Sequence, residues 1–384
     1  MIATEQAGRP LGVLLMTYGS PATLDDVPAY LASVRGVRVA GSRANQVGAA
    51  ASAPDELVQE FRRRYAVIGG SPLVRITREQ AAAVAAQLNA SGLDGERYVV
   101  GVGMRHAPPL IGDALVELAA RDARRIAAII LSPQYSPFIM GGYHRAVDGT
   151  RDALPEGTTV TVAGAWHRHP RFLAALAQRV GETLDRFPPE VRHRVPVILT
   201  SHSLPRSVVD REPEYLEQLQ ETVREIVRLT GLDTPGADGA PRWQFAYQSA
   251  GHTPEEWLKP DMKDLLPGLR AAGHRHVLMV PVQFLADHLE ILYDVDVAAR
   301  GEAEAVGLEF RRIESLNTMP IFIEALADVA RQTLASPPLP IRGIGSRRGP
   351  RIQRGDSSDI VPLCAGTPGV AQPGVRLAAS TSAR

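Results

Sequence analysis

Residues 200–205, TSHSLP, set a histidine between two hydroxyl residues directly after the apolar run 195–199. An imidazole accepts a proton near neutrality or lends a lone pair to a metal ion, so His202 reads as a general base or a ligand. The plainer alternative is a histidine that caps the next turn. A second stretch, FLADHLEILYDVD at 284–296, follows the apolar run 276–282 and carries Asp287, His288, Glu290, Asp294 and Asp296. The i, i+3, i+7 spacing of Asp287, Glu290 and Asp294 predicts one helical face bearing all three carboxylates. Like charges so arranged suit either a cation or open solvent. On the other side, Leu289, Ile291, Leu292 and Val295 are placed to pack, which would anchor the helix at a cleft.

Elements that position these residues follow from the hydrophobic pattern. Short apolar, β-branched runs predict strands at 11–17, 98–102, 126–131, 158–163, 195–200, 243–247, 276–282 and 308–313. Amphipathic stretches at 78–89, 112–120, 171–186, 215–229 and 320–334 predict helices between them. Such alternation specifies parallel sheets with crossover helices. Four strands fall before about residue 165 and four after, which predicts two similar open-sheet domains, 1–165 and 166–335. The Ala/Ser/Gly-rich segment 39–54 reads as a loop insertion, and the Pro/Gly/Ser/Arg-rich 336–384 as a disordered tail. Ligands in open α/β sheets bind beyond the carboxyl ends of the strands. Tyr18 and histidines 106, 167, 202, 252 and 288 all lie near such ends, on loops expected to face one cleft.

Composition excludes several classes. The 384 residues carry 42 basic and 42 acidic side chains, which leaves no electrostatic footprint for nucleic acid or an anionic membrane. The lone Cys364 cannot form an internal disulfide or a four-thiolate cluster. With no basic-flanked leader and no membrane-length apolar run, the expectation is a cytoplasmic protein without a transmembrane segment. Nucleotide-binding glycine fingerprints, HExxH and GxSxG are all missing. Gly69-Gly-Ser-Pro72 reads as a turn entering the helix that starts near Thr77 rather than as a phosphate loop.

The ordered motifs MTYGSP, RRRYAVIGGSPL, GMRHAPP, LSPQYSPF, TSHSLP, YQSAGHTPEEWLKPD and VPVQFLADHLEILYD together resemble the ferrochelatases, from about Gly12 to Leu334. Those enzymes insert Fe²⁺ into a porphyrin. The resemblance implies two Rossmann-like domains with parallel four-stranded sheets and the porphyrin in the cleft between them. It implies that His202 and Glu290 contact the metal and carry catalysis. Tyr18 corresponds to a tyrosine that can ligate the product iron on the face opposite His202. Arg35, Arg64, Tyr65, Ser71 and Tyr143 match positions that contact the macrocycle or its propionates. TYGSP resembles the branch of Gram-positive-type bacteria that acts on coproporphyrin III; the alternatives are protoporphyrin IX, a cobalt-inserting relative, or a porphyrin or haem carrier without catalysis.

Further expectations follow from the same likeness. Porphyrin and Fe²⁺ are the partners, no cofactor is required, and the iron–sulfur cluster of some members is not expected with one cysteine. A monomer in transient contact with the preceding or following haem-pathway enzyme fits this reading. Ala298 stands where the acidic row of some bacterial members continues. Arg35 and Arg64 suit carboxylates, because the guanidinium fork binds them in bidentate fashion.

Overall fold

Strand β1, Leu11–Thr17, is buried along its whole length because it sits inside a parallel sheet covered on both faces. The computed structural model describes residues 8–36, 54–90, 95–234, 241–251 and 255–336, the side chain of Phe138 excepted. Apart from Pro54 and Ser336, the 39–54 insertion and the 336–384 tail lie outside these residues. In the first half, β1 is followed by α1 (Val27–Val34), α2 (Asp55–Val67), α3 (Leu73–Ala90), β2 (Tyr98–Met104) and α4 (Ile111–Ala120). Then come β3 (Arg125–Ile130), α5 (Pro137–Asp148) and β4 (Thr159–Val162). The second half runs α6 (Pro170–Leu184), α7 (Pro189–Arg192), β5 (Val197–His202), α8 (Arg206–Val209), α9 (Pro213–Thr230) and β6 (Trp243–Gln248). It continues with α10 (Met262–Ala271), β7 (His276–Pro281), a π-helix (Glu290–Ala299), α11 (Arg300–Ala305), β8 (Glu309–Arg312) and α12 (Pro320–Ala335).

All eight predicted strands form. They build two four-stranded sheets, ordered β2-β1-β3-β4 and β6-β5-β7-β8, with every pairing parallel. The two orders are the same. Each sheet begins at a central strand, steps to one edge, and returns past the start. The fold is therefore α/β with two similar open sheets.

One core joins the halves. Val13, Leu15 and Ile129 of the first sheet share it with Leu199 and Val280 of the second. Val84 of α3, Phe172 of α6, Val223 of α9 and Phe322 of α12 fill the space between. Full burial of a side chain this size stabilises by about 1.5–3 kcal/mol, so this layer is a major source of cohesion. Helix α12 packs on α3 and β3 as well as on α6, so the last described helix closes onto the first sheet. Outer faces are covered separately, by α4 and α5 on the first sheet and by α10 and the π-helix on the second. Close approach matters at Gly103, where a Cβ would meet the Ile111 Cα at 2.8 Å; glycine there lets α4 lie against β2.

Strand β5 runs two residues further than its apolar run predicts. Ser201 and His202 remain in register with Tyr247 and Gln248 of β6, and the Thr200 hydroxyl donates to Gln248 Oε1 at 2.6 Å. The histidine is thus held by the sheet itself rather than by a loop.

Candidate active site

His202 ends β5 with its ring buried. Its Nδ1 lies 2.6 Å from the Ser203 carbonyl, which can only accept, so Nδ1 carries the proton. In that tautomer the lone pair sits on Nε2, an atom with no hydrogen bond among the described residues. That Nε2 stands 3.9 Å from Glu290 Oε1. The backbone N–H of His202 donates to Gln283 Oε1 at 3.3 Å, and the Gln283 amide in turn donates to the buried Tyr215 hydroxyl. Residues beneath the histidine therefore fix its direction from two sides.

Glu290 lies between two imidazoles. Its Oε2 is 3.4 Å from His288 Nε2, while His288 Nδ1 donates to the Ala286 carbonyl at 2.9 Å. The Phe284 ring meets both histidines edge-on, with centroids 6.4 Å from His202 and 4.7 Å from His288. Burial opposes the charged form of His288, but the hydrogen bond and charge of Glu290 outweigh it and hold its pKa above the ordinary value. Asp294 is pushed up to about 6, by burial first and by the Glu290 charge second, with Arg64 acting against both. A carboxyl group, an imidazole and an imidazole nitrogen without a hydrogen bond thus adjoin one another. This is proton-handling geometry.

The acidic stretch does not form the single face that its spacing predicts. Glu290–Ala299 is π-helical, and Asp287 precedes the helix altogether. Asp287 accepts from Ser315 Oγ at 2.7 Å, Asn317 Nδ2 at 2.9 Å and Arg312 Nη2 at 3.2 Å. Only Glu290 and Asp294 remain on the His202 side. Of the four apolar residues expected on the opposite side, Ile291, Leu292 and Val295 pack on the second sheet. Leu289 turns instead into a cluster with Tyr30, Leu31, Phe61 and Tyr65 of α1 and α2, which Tyr18 and Tyr293 adjoin. Strand ends of the two sheets meet through that cluster.

On the first-sheet side, Tyr18 follows β1 and is half-buried. Its ring centroid is 4.5 Å from His106 and 6.5 Å from Tyr30. The Arg105 guanidinium stands 5.9 Å from the Tyr18 ring and 5.8 Å from that of Tyr143. It fits there because residue 142 is glycine: a Cβ would sit 2.1 Å from Arg105 Cζ. His106, 3.1 Å from the Ser33 hydroxyl, is held down to about 3 by burial and then by the Arg105 charge. Burial pushes the Tyr143 phenol up. Both rings are therefore neutral at ordinary pH.

Other predicted residues fall as follows. Arg64 is buried, with Nε 2.8 Å from Glu60 and Nη1 3.5 Å from Asp294, so it ties α2 to the π-helix. Tyr65 lies in the α1–α2 apolar cluster, and Arg35 is the half-buried residue that ends α1. Ser71 accepts weakly from the Leu73 N–H at 3.4 Å as α3 begins, at Leu73 rather than near Thr77. His167 does not join the others: its Nε2 bonds Glu221 of α9 at 2.7 Å, because the loop after β4 turns onto that helix. His252 lies outside the described residues. Sequence reasoning missed Arg312 as a site neighbour.

A hollow of about 600 Å³ lined by Asn89, Arg97, Tyr98, Val99 and Arg121 opens at the amino end of β2. That is the wrong end of the sheet for the ligand rule, and it belongs to a different surface. Among the described residues, no three His, Cys, Asp or Glu side chains gather into a ready metal cage. No described helix is long and apolar enough to cross a membrane.

Paired parallel sheets with titratable side chains at their carboxyl ends define an α/β protein with a candidate active site. The ferrochelatase family profile matches residues 10–334. A protein named ferrochelatase from Herpetosiphon aurantiacus is 35% identical over 318 residues, covering 83% of this chain and 97% of that one. One named coproporphyrin III ferrochelatase from Geobacillus thermodenitrificans is 32% identical over 331 residues, 86% and 98% of the two chains. Among solved structures, SirB from Bacillus subtilis with Fe³⁺ matches 85% of this chain and 96% of that one, at 11% identity and a TM-score of 0.48. The chain belongs to the ferrochelatase family, whose members insert a metal ion into a porphyrin.

Proposed function

We propose that this ferrochelatase inserts Fe²⁺ into coproporphyrin III, with His202 and Glu290 as the catalytic and metal-handling pair. The observation that carries the assignment is the free Nε2 lone pair of His202 facing Glu290 at 3.9 Å. Insertion requires a bent macrocycle, the loss of two pyrrole protons, and an aquated Fe²⁺ that exchanges water for transient ligands. Binding energy from the porphyrin's apolar face and carboxylates drives the bending. His202 Nε2 accepts a pyrrole proton, and Glu290 with His288 passes it outward. Imidazole and carboxylate donors hold Fe²⁺ loosely enough for it to move on to the macrocycle, whereas thiolates would retain it.

Substrate choice rests on the first-sheet side. Coproporphyrin III presents four propionates, and protoporphyrin IX two propionates and two vinyls. Arg35 and Arg105 add cationic groups there, and Tyr18 supplies a phenol oxygen for the inserted iron. Arg64, Tyr65, Ser71 and Tyr143 complete the proposed porphyrin surroundings. Polar groups arranged for a carboxylate lose partners when offered a vinyl, which penalises the wrong porphyrin. Relatives at 32–33% identity named coproporphyrin III ferrochelatase agree with the choice, beside others named simply ferrochelatase. Anaerobic Fe²⁺ insertion measured side by side with the two porphyrins tests it. Higher kcat/KM for coproporphyrin III is expected. Equal or faster turnover of protoporphyrin IX overturns it.

A further inference from the structure

The geometry points to Arg312 as a positioning residue that sets Glu290 against His202, an inference that rests on the role given above to Glu290. Arg312 is the last residue of β8, and its side chain is only 12% exposed. Its Nε and Nη2 reach the two carboxylate oxygens of Asp296 at 2.8 and 2.7 Å, a fork-to-fork pair. Nη2 also reaches Asp287 Oδ1 at 3.2 Å, and Nη1 donates to the Ile313 carbonyl at 2.8 Å. One guanidinium therefore holds a carboxylate on each side of Glu290 in the chain.

What lies between those two anchors needs holding. The π-helical turn starting at Glu290 is a rare arrangement, with i→i+5 bonds in place of the usual ladder. Asp287 is closed further by Ser315 and by Asn317, whose Oδ1 accepts from the Asp287 N–H at 3.0 Å. Asn317 takes a left-handed backbone, φ 43°, and its carbonyl accepts from the fully buried Gln80 of α3 at 2.8 Å. The entry to the π-helix is thus tied to both halves of the molecule. Buried salt bridges contribute little net stability against apolar replacements, so specificity of placement is the better account of this one. With Arg312 removed, two acidic anchors repel each other, and the segment bearing Glu290 loses its fixed distance to His202.

The test uses the full chain with Fe²⁺ and coproporphyrin III, and porphyrin-binding sites counted by fluorescence titration. Arg312→Gln should lower kcat per binding site at least about tenfold and raise the Fe²⁺ KM severalfold, with porphyrin Kd within about twofold of wild type. Arg312→Lys should recover part of the rate. In the Glu290→Gln background, adding Arg312→Gln should cost no more than about twofold, since both changes act through one carboxylate. Full multiplication of the two losses overturns the inference, as does a loss that only follows the number of porphyrin-binding sites. Should Arg312→Gln not fold, Asn317→Gly keeps the left-handed backbone while removing the Asp287 contacts, and must show the same pattern; unchanged kinetics there also overturn it. Wild-type turnover in Glu290→Gln alone would instead remove the role of Glu290, a separate outcome from additivity.

Discussion

His202 Nε2 and Glu290 Oε1 face each other at 3.9 Å, too far for a hydrogen bond and close enough for one ligand to touch both. They come from different strand ends of one sheet, β5 and the connection after β7. On the proposed role, the gap keeps the Nε2 lone pair open for a proton or a metal ion, because a direct hydrogen bond would occupy it.

Glu290→Gln keeps shape and removes charge. Insertion should slow by about 10²–10⁴-fold, the usual range for losing a proton-transfer partner. The same change withdraws the main influence raising His288, so its pKa should fall. NMR titration of the histidine ring reads the second effect. An unmoved His288 pKa would contradict the contact.

Arg105 stands beside Tyr18 and Tyr143 only because residue 142 lacks a side chain. Gly142→Ala should push the flexible guanidinium aside and leave the backbone alone, moving Tm by no more than about 2 °C. Coproporphyrin III affinity should fall severalfold, and Arg105→Gln should do the same. Affinity unchanged in Arg105→Gln would show that the guanidinium makes no use of this position in binding.

Asp294 is raised from 3.8 to about 6, so its folded pKa exceeds its unfolded one. The native state then binds more protons than the unfolded state between those values, and stability falls as pH rises from about 4 to about 6. On the order of 2–3 kcal/mol is involved. Asp294→Asn cannot ionise. Its Tm relative to wild type should therefore climb across that window and level off above it. A Tm difference that stays flat from about pH 4 to pH 7 would contradict the shift.

The strands were legible because parallel strands buried on both faces read as unbroken apolar runs, as LGVLLMT and HVLMVP do. Helices α3, α6, α9 and α12 were legible from their amphipathic faces. Helix α1 was missed because most of it is buried, and α10 because Pro267 interrupts it. The motif positions His202 and Glu290 do come together. Their acidic neighbours did not follow the spacing, since a 3.6-residue period was applied to a segment that is π-helical. Asp287 could not be placed from its neighbours because its partners Arg312, Ser315 and Asn317 arrive from another strand end. Contacts of that kind are set by tertiary packing, and no local period encodes them.

Single-turnover insertion of Fe²⁺ into bound coproporphyrin III, comparing wild type with His202→Ala, tests the central claim most directly. The substitution removes the proton acceptor and a metal ligand but little apolar contact. Insertion should drop by about 10²–10⁴-fold while porphyrin Kd stays within about threefold of wild type. Insertion within about threefold of wild type, at equal porphyrin occupancy, would contradict the account.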